Sequence, residues 1–190
     1  MKNNLQIIEK LQSKFGEFKF KLNNNKEVIE LIISFNNVET TDLKLIGELT
    51  SLQKLLLSVN NITKIQNLDK LNELGELCLS DNKITEIEGL EKLTKLQSLN
   101  LGYNQIYKIQ GLEKLTKLRV LDLELNQISK IQGLDELISL QELSFYDNKI
   151  TTIQGLDNLA NLGYLDLSKN NIPEKEIKEF RDKHPKIIVL

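Results

Sequence analysis

Residues 89 to 118 read GLEKLTKLQSLNLGYNQIYKIQGLEKLTKL, and the segment GLEKLTKL opens the stretch and returns 22 positions later. A unit copied whole at one period decides a fold more firmly than local propensity does, because every copy must bury the same faces. Working outward, Asn60, Asn82, Asn104, Asn126, Asn148 and Asn170 follow one another at the same 22-residue step. Each carries the same apolar frame, which around Asn126 is Leu118, Leu121, Leu123, Ile128, Ile131, Leu134 and Leu137. One earlier unit is degenerate. Leu31, Ile33, Asn36 and Val38 stand 24 residues ahead of Leu55, Leu57, Asn60 and Ile62, while Leu43, Ile46 and Leu49 keep the 22-residue register. Two extra residues near Thr40 to Asp42 reconcile the two spacings.

In the L-x-L element, as at Leu121 and Leu123, both leucines point to one face of a short strand and Val120, Asp122 and Glu124 to the other. A single unit is too small to bury its leucines. Units must therefore stack, which lays their strands side by side in a parallel sheet about 4.8 Å apart. The bulkier back of each unit makes the stack curve. The glycines before Leu90, Leu112, Leu134 and Leu156 suit a tight turn on the convex side, and Asn67, which replaces glycine in one unit, also tolerates positive φ.

The frame L-x-x-L-x-L-x-x-N-x-I-x-x-I-x-G-L-x-x-L, carried by seven units over residues 28–172, resembles the leucine-rich repeat family. Its length and its I-x-x-I-x-G-L element are similar to the subclass shared by the regulatory subunit of protein phosphatase 1 and bacterial internalins. The resemblance implies an α/β, right-handed leucine-rich-repeat solenoid. It places a parallel sheet on the concave face and short 3-10 or irregular turns on the convex face. It also implies that the repeated asparagines turn inward and bond backbone groups that would otherwise be buried without partners. The function it implies is binding of another protein, with regulation of an enzyme or assembly as one purpose. Internalin-like surface adhesion would need a secretion signal and wall anchor, and neither is visible.

A stack must be closed at its ends. Leu5, Ile8, Leu11 and Phe15 fall at helical spacing, and Phe18, Phe20 and Leu22 alternate before a turn at Asn23 to Lys26. Residues 1–27 are thus expected to form an N-terminal helix and strand cap. Pro173 can open a helix that covers the last unit with Ile177 and Phe180, Pro185 stops it, and Ile187 to Leu190 add a strand, making 173–190 a C-terminal cap. Caps and repeats together form one structural domain.

Composition narrows the function. With 25 Lys and Arg against 27 Asp and Glu, a formal charge of −2 offers no general attraction to nucleic acid or anionic membrane. Neither is expected as a partner. One cysteine, Cys78, excludes an internal disulfide framework and suits a reducing, cytoplasmic setting. As a nucleophile Cys78 would need a base within about 3 Å. The single histidine, His184, lies in the C-terminal cap, and four strand spacings of about 4.8 Å already separate Cys78 from Asp166. No phosphate loop, metal-ligand spacing or catalytic triad motif is present, so the expectation is a non-enzymatic, cofactor-free, monomeric binding module. A hydrolase or transferase built on Cys78 is the alternative.

Binding must then use the columns that the frame leaves free. Of the 28 outward and strand-end positions, eight are acids and two are lysines, so the concave face is acidic although the chain is nearly neutral. Asn100, Tyr103, Asp122, Glu124, Glu142, Tyr146, Asp147, Tyr164 and Asp166 form the candidate partner-binding face. Aromatic side chains among charges are favoured at interface hot spots. The expected partner is a protein with a basic or mixed basic and apolar surface. Ile32, Leu56, Phe35 and Val59 make the N-terminal edge of the same face apolar. That edge is either a second anchor or the underside of the cap. On the convex side Lys64, Lys70, Lys92, Lys108, Lys114 and Lys130 alternate with Glu91, Glu113 and Asp135, the pattern of a solvated surface.

Overall fold

The computed structural model describes residues 4–190; the first three positions of the N-terminal cap lie outside the described residues. One nine-stranded sheet runs through the described chain in sequence order. Strand β1 (Lys19–Leu22) pairs antiparallel with β2 (Val28–Ile32). The remaining strands are parallel: β3 (Lys54–Leu56), β4 (Glu76–Cys78), β5 (Ser98–Asn100), β6 (Val120–Asp122), β7 (Glu142–Ser144), β8 (Tyr164–Asp166) and β9 (Ile188–Val189). The solenoid is the one the repeat frame demands.

The register puts Leu31, Leu55, Leu77, Leu99, Leu121, Leu143 and Leu165 in one continuous row. All are buried. Each contributes roughly 1.5–3 kcal/mol of burial relative to exposure. On the convex side, Leu90, Leu93 and Leu96 are linked by i to i−3 backbone bonds of 2.9 Å, and the same pair of bonds recurs at Leu112, Leu115 and Leu118. Such turns advance three residues per turn, so side chains three apart eclipse one another. That is why L-x-x-L-x-x-L buries every leucine. The turns begin at Gly89, Gly111, Gly133 and Gly155, with φ between 68° and 73°, and at Asn67, with φ 60°.

The asparagines hold the stack together. Asn126 Nδ2 donates to the carbonyls of Leu101 (3.0 Å), Leu123 (3.2 Å) and Glu124 (3.0 Å), and Asn126 Oδ1 accepts from the N–H of Ile106 at 2.9 Å. Two of those partners belong to the preceding unit, so one side chain closes its own strand exit and staples it to its neighbour. Asn60, Asn82, Asn104 and Asn148 bond in the same pattern and are likewise buried. Asn36 has no preceding unit to reach. It donates instead to the Phe15 carbonyl at 2.6 Å, at the end of helix α1 (Asn4–Phe15).

One detail differs from the sequence reading and a second adds to it. In α1 the buried residues are Ile7, Ile8 and Leu11, and Leu5 is 36% exposed. At about 100° per residue, Ile7, Ile8, Leu11 and Phe15 share an arc of about 100°, and Leu5 lies about 60° outside it. The extra length near residue 40 forms a 3-10 turn, Thr40–Asp42, that runs into the short helix α2 (Leu43–Ile46). Helix α3 (Glu174–Lys183) lies at the other end, with Ile177 and Phe180 partly buried against the core.

Candidate partner-binding face

The strands are three residues long and their middle residue points inward, so the first and third residues of β3 to β8 face outward. At the strand exit the backbone turns through a left-handed residue in every unit: Phe35, Val59, Asp81, Tyr103, Leu125, Asp147 and Lys169, with φ between 49° and 62°. A non-glycine residue rarely takes this conformation, and for branched Val59 it is strained. Its persistence in every unit reflects the bonds around it, since the Val59, Asp81, Tyr103, Leu125 and Asp147 N–H groups each donate to the next unit's carbonyl at 2.8 to 3.0 Å. The consequence is a rim. Tyr103 is 50% exposed there and Phe35 79%.

The structure gathers part of the candidate set into a network. Asn100 Nδ2 donates to Asp122 Oδ2 at 2.9 Å, and Asp122 Oδ1 accepts from the Glu124 N–H at 3.0 Å. Asn100 Oδ1 accepts from the Gly102 N–H at 2.9 Å. A Cβ on Gly102 would stand 2.9 Å from Glu124 Cγ, so the missing side chain is what lets Glu124 lie against this network. Burial holds the Asp122 carboxyl above the usual carboxylate range against the hydrogen bonds that favour its charged form, and Asp166 adds to the rise. Glu124 is raised by burial and by the charges of Asp122 and Asp166. Among the described residues, no ion pair within 4.0 Å neutralises Asp122, Glu124, Glu142 or Asp166.

The tyrosines stand around these acids at different depths. Tyr164, half-buried at the start of β8, has its hydroxyl pKa raised by burial and by Asp166 and Glu142. Tyr146 is covered on one face by Lys169, whose ammonium lies 4.9 Å from the ring centroid and 3.9 Å from the Asp147 carboxylate. Lys169 is one of the two lysines counted on this face, and the structure adds that it lies over Tyr146. Its signal was in the sequence, one strand over and one rim position along from Tyr146. Tyr103 stands on the rim, where it also acts on the Lys169 ammonium, and no hydrogen bond of its side chain among the described residues joins it to the carboxylate network.

The N-terminal half is differently built. Lys54 and Glu76 pair at 2.9 Å, and Glu76 raises the Lys54 ammonium. Cys78 Sγ lies 3.0 Å from Ser58 Oγ and 3.4 Å from Ser80 Oγ. Strands β5 to β8 separate it from the cap that holds His184. Among the described residues no helix is long and apolar enough to cross a membrane, and no group of three His, Cys, Asp or Glu side chains could hold a metal ion.

The model of two-copy leucine-rich repeats matches residues 50–92, 74–109, 94–136 and 138–181. The chain belongs to the leucine-rich repeat family. Among solved structures, an internalin, InlF, of Listeria monocytogenes is 33% identical over 85% of this chain and 46% of its own, with a TM-score of 0.74. A leucine-rich-repeat protein of Leptospira interrogans is 30% identical over 77% of this chain and 38% of its own, with a TM-score of 0.73. This leucine-rich repeat chain thus spans less than half the length of either. Internalin C2 of Listeria monocytogenes, at 24% identity and a TM-score of 0.61, shares the fold over 97% of this chain and 91% of its own. A comparison with curated proteins returns no match. Membership of this family supports a protein-interaction repeat module.

Proposed function

We propose that this chain is a non-enzymatic module that binds one partner protein through the C-terminal part of its concave face. The carrying observation is the group Asp122, Glu124 and Asp166, which no ion pair within 4.0 Å among the described residues neutralises and which stands beside Tyr146 and Tyr164. Carboxylates held at a cost in the free protein are stabilised when a basic surface arrives. The tyrosines add desolvated contact area, which makes a complex persist, whereas charges at the rim mainly speed encounter. The partner is therefore a protein with a basic or mixed basic and apolar surface. The same acids repel the phosphates of nucleic acid and anionic lipid. The rigid sheet loses little conformational entropy on binding. The module acts as a monomer in the cytoplasm, where its lone thiol stays reduced.

The test is affinity capture from a lysate of the source organism with three baits: the unaltered chain, Asp122→Lys with Asp166→Lys, and the convex control Glu91→Lys with Glu113→Lys. A partner that survives the convex change and is lost on the concave change supports the reading. Equal recovery on all three baits refutes it. The likeness to InlF favours a second reading, a surface adhesion repeat of internalin type. Cell fractionation separates the two, since only the second puts the chain at the cell surface.

A further inference from the structure

The C-terminal end of the solenoid carries a cavity remote from the concave face. Inside the array each convex turn is covered by the next. At the end that cover falls to α3, which buries none of its own residues fully. Leu156, Leu159 and Leu162 accordingly retain 6%, 4% and 6% exposure, where Leu134, Leu137 and Leu140 of the preceding unit have 0%. Between these leucines and the segment from Lys183 to Ile187 lies a space of about 330 Å³. That is within the range of small-molecule sites. The neighbouring edge of the sheet is not equally open, because Arg181 Nη2 donates to the Val189 carbonyl at 3.0 Å and caps strand β9.

The cavity has two chemistries. Its floor is apolar, made by the three leucines. Its rim carries Lys183, His184 and Lys186 against one acid, Asp157. Lys183 lies 3.5 Å from Asp157, but both side chains are more than 70% exposed, so this pair is weak and readily exchanged. Lys186 has no ion-pair partner within 4.0 Å among the described residues. The His184 ring stacks on Phe180 with 4.4 Å between centroids, which anchors one wall.

We propose that this cavity binds a small amphiphilic anion, an acyl or aryl carboxylate. Its apolar body lies on Leu156, Leu159 and Leu162, and its carboxylate meets Lys186 and Lys183 at the rim. Charge complementarity selects the anion: a neutral or cationic amphiphile gains the same floor but loses or opposes the rim.

The probe is decanoate, titrated into the full chain and followed by backbone amide NMR, with decyltrimethylammonium as the matched cation. The proposal expects saturable shifts at Leu156, Leu162 and Ile187, and at least fivefold weaker binding of the cation. Lys186→Glu should weaken decanoate roughly five- to tenfold without moving the melting temperature, because Lys186 is an exposed rim residue. Ala160→Trp, at an exposed position lining the space, should occlude it and abolish the shifts. Absence of saturable shifts at these amides would overturn the proposal. So would equal affinity for the anion and the cation, or a Lys186→Glu chain that binds decanoate unchanged. None of these outcomes bears on the concave face.

Discussion

Asn126 and Asp122 are four positions apart, and opposite fates follow from the face each occupies. Two amide hydrogens of Asn126 serve three carbonyls, and its oxygen takes a buried N–H. Asn126→Ala leaves these groups without partners and without water, so it should destabilise the chain by about 3 kcal/mol in urea denaturation. Asp122→Ala should cost under about 1 kcal/mol, since its partners, the Glu124 N–H and the Asn100 amide, lie on the outward, only part-buried face. Equal midpoints for the two variants would contradict the assignment of inward and outward columns. Asp122 also predicts a pH response. Its native pKa is raised, as is that of Glu124, so between the ordinary carboxylate value and the raised one the native state holds more proton than the unfolded chain. The contribution of these two groups to stability therefore falls as pH rises through that window and recovers as pH falls, the reverse of a salt-bridged carboxylate. Carboxyl-carbon NMR should place the Asp122 midpoint above the ordinary Asp value, and Asp166→Asn should lower it. A midpoint at or below the ordinary value would remove the electrostatic basis of the site.

At the scale of elements, convex turns were legible because their constraints are local and repeated. A glycine before four of the L-x-x-L-x-x-L runs, and Asn67 before another, signal positive φ, and the structure gives the glycines a measurable reason beyond it. A Cβ on Gly89 would stand 2.6 Å from the Ile65 carbonyl oxygen, whereas on Gly133 the corresponding distance is 3.2 Å. Gly89→Ala should therefore cost more than Gly133→Ala, with roughly 1–3 kcal/mol for the former by thermal denaturation. The reverse order would show that backbone contact does not govern these turns. The left-handed rim was not legible, because its occupants, Phe35, Val59, Tyr103 and Leu125 among them, are residues that propensity keeps out of that conformation. There the interlocking backbone bonds of neighbouring units override local preference. The face of α1 was misjudged at Leu5 for a similar reason. Several apolar residues lie close together in that segment, and only the packed end of the sheet selects among them.

At the scale of the molecule, a nearly neutral chain presents a divided concave face. Its N-terminal units offer Ile32, Leu56 and Phe35, and its C-terminal units offer acids and tyrosines. Column arithmetic on the sequence located the acids because the repeat assigns each residue its place in a grid. It could not show which grid neighbours bond, such as Asn100 with Asp122, or that Lys169 lies over Tyr146. Those contacts depend on side-chain reach. They also sharpen the expected kinetics. Charge steering should make association slow with salt once the Debye length falls to about 10 Å at 0.1 M. Tyr146→Ala should chiefly hasten dissociation, and Lys169→Ala, which uncovers that ring, should act differently from it. The most direct test is the binding kinetics of the captured partner on the unaltered chain and on Asp122→Lys with Asp166→Lys, at low and high salt. The account predicts that the charge reversal slows association at least tenfold at low salt and that the difference shrinks at high salt. Unchanged association at both salt concentrations would contradict it and move the contact to the apolar edge around Phe35 and Leu56.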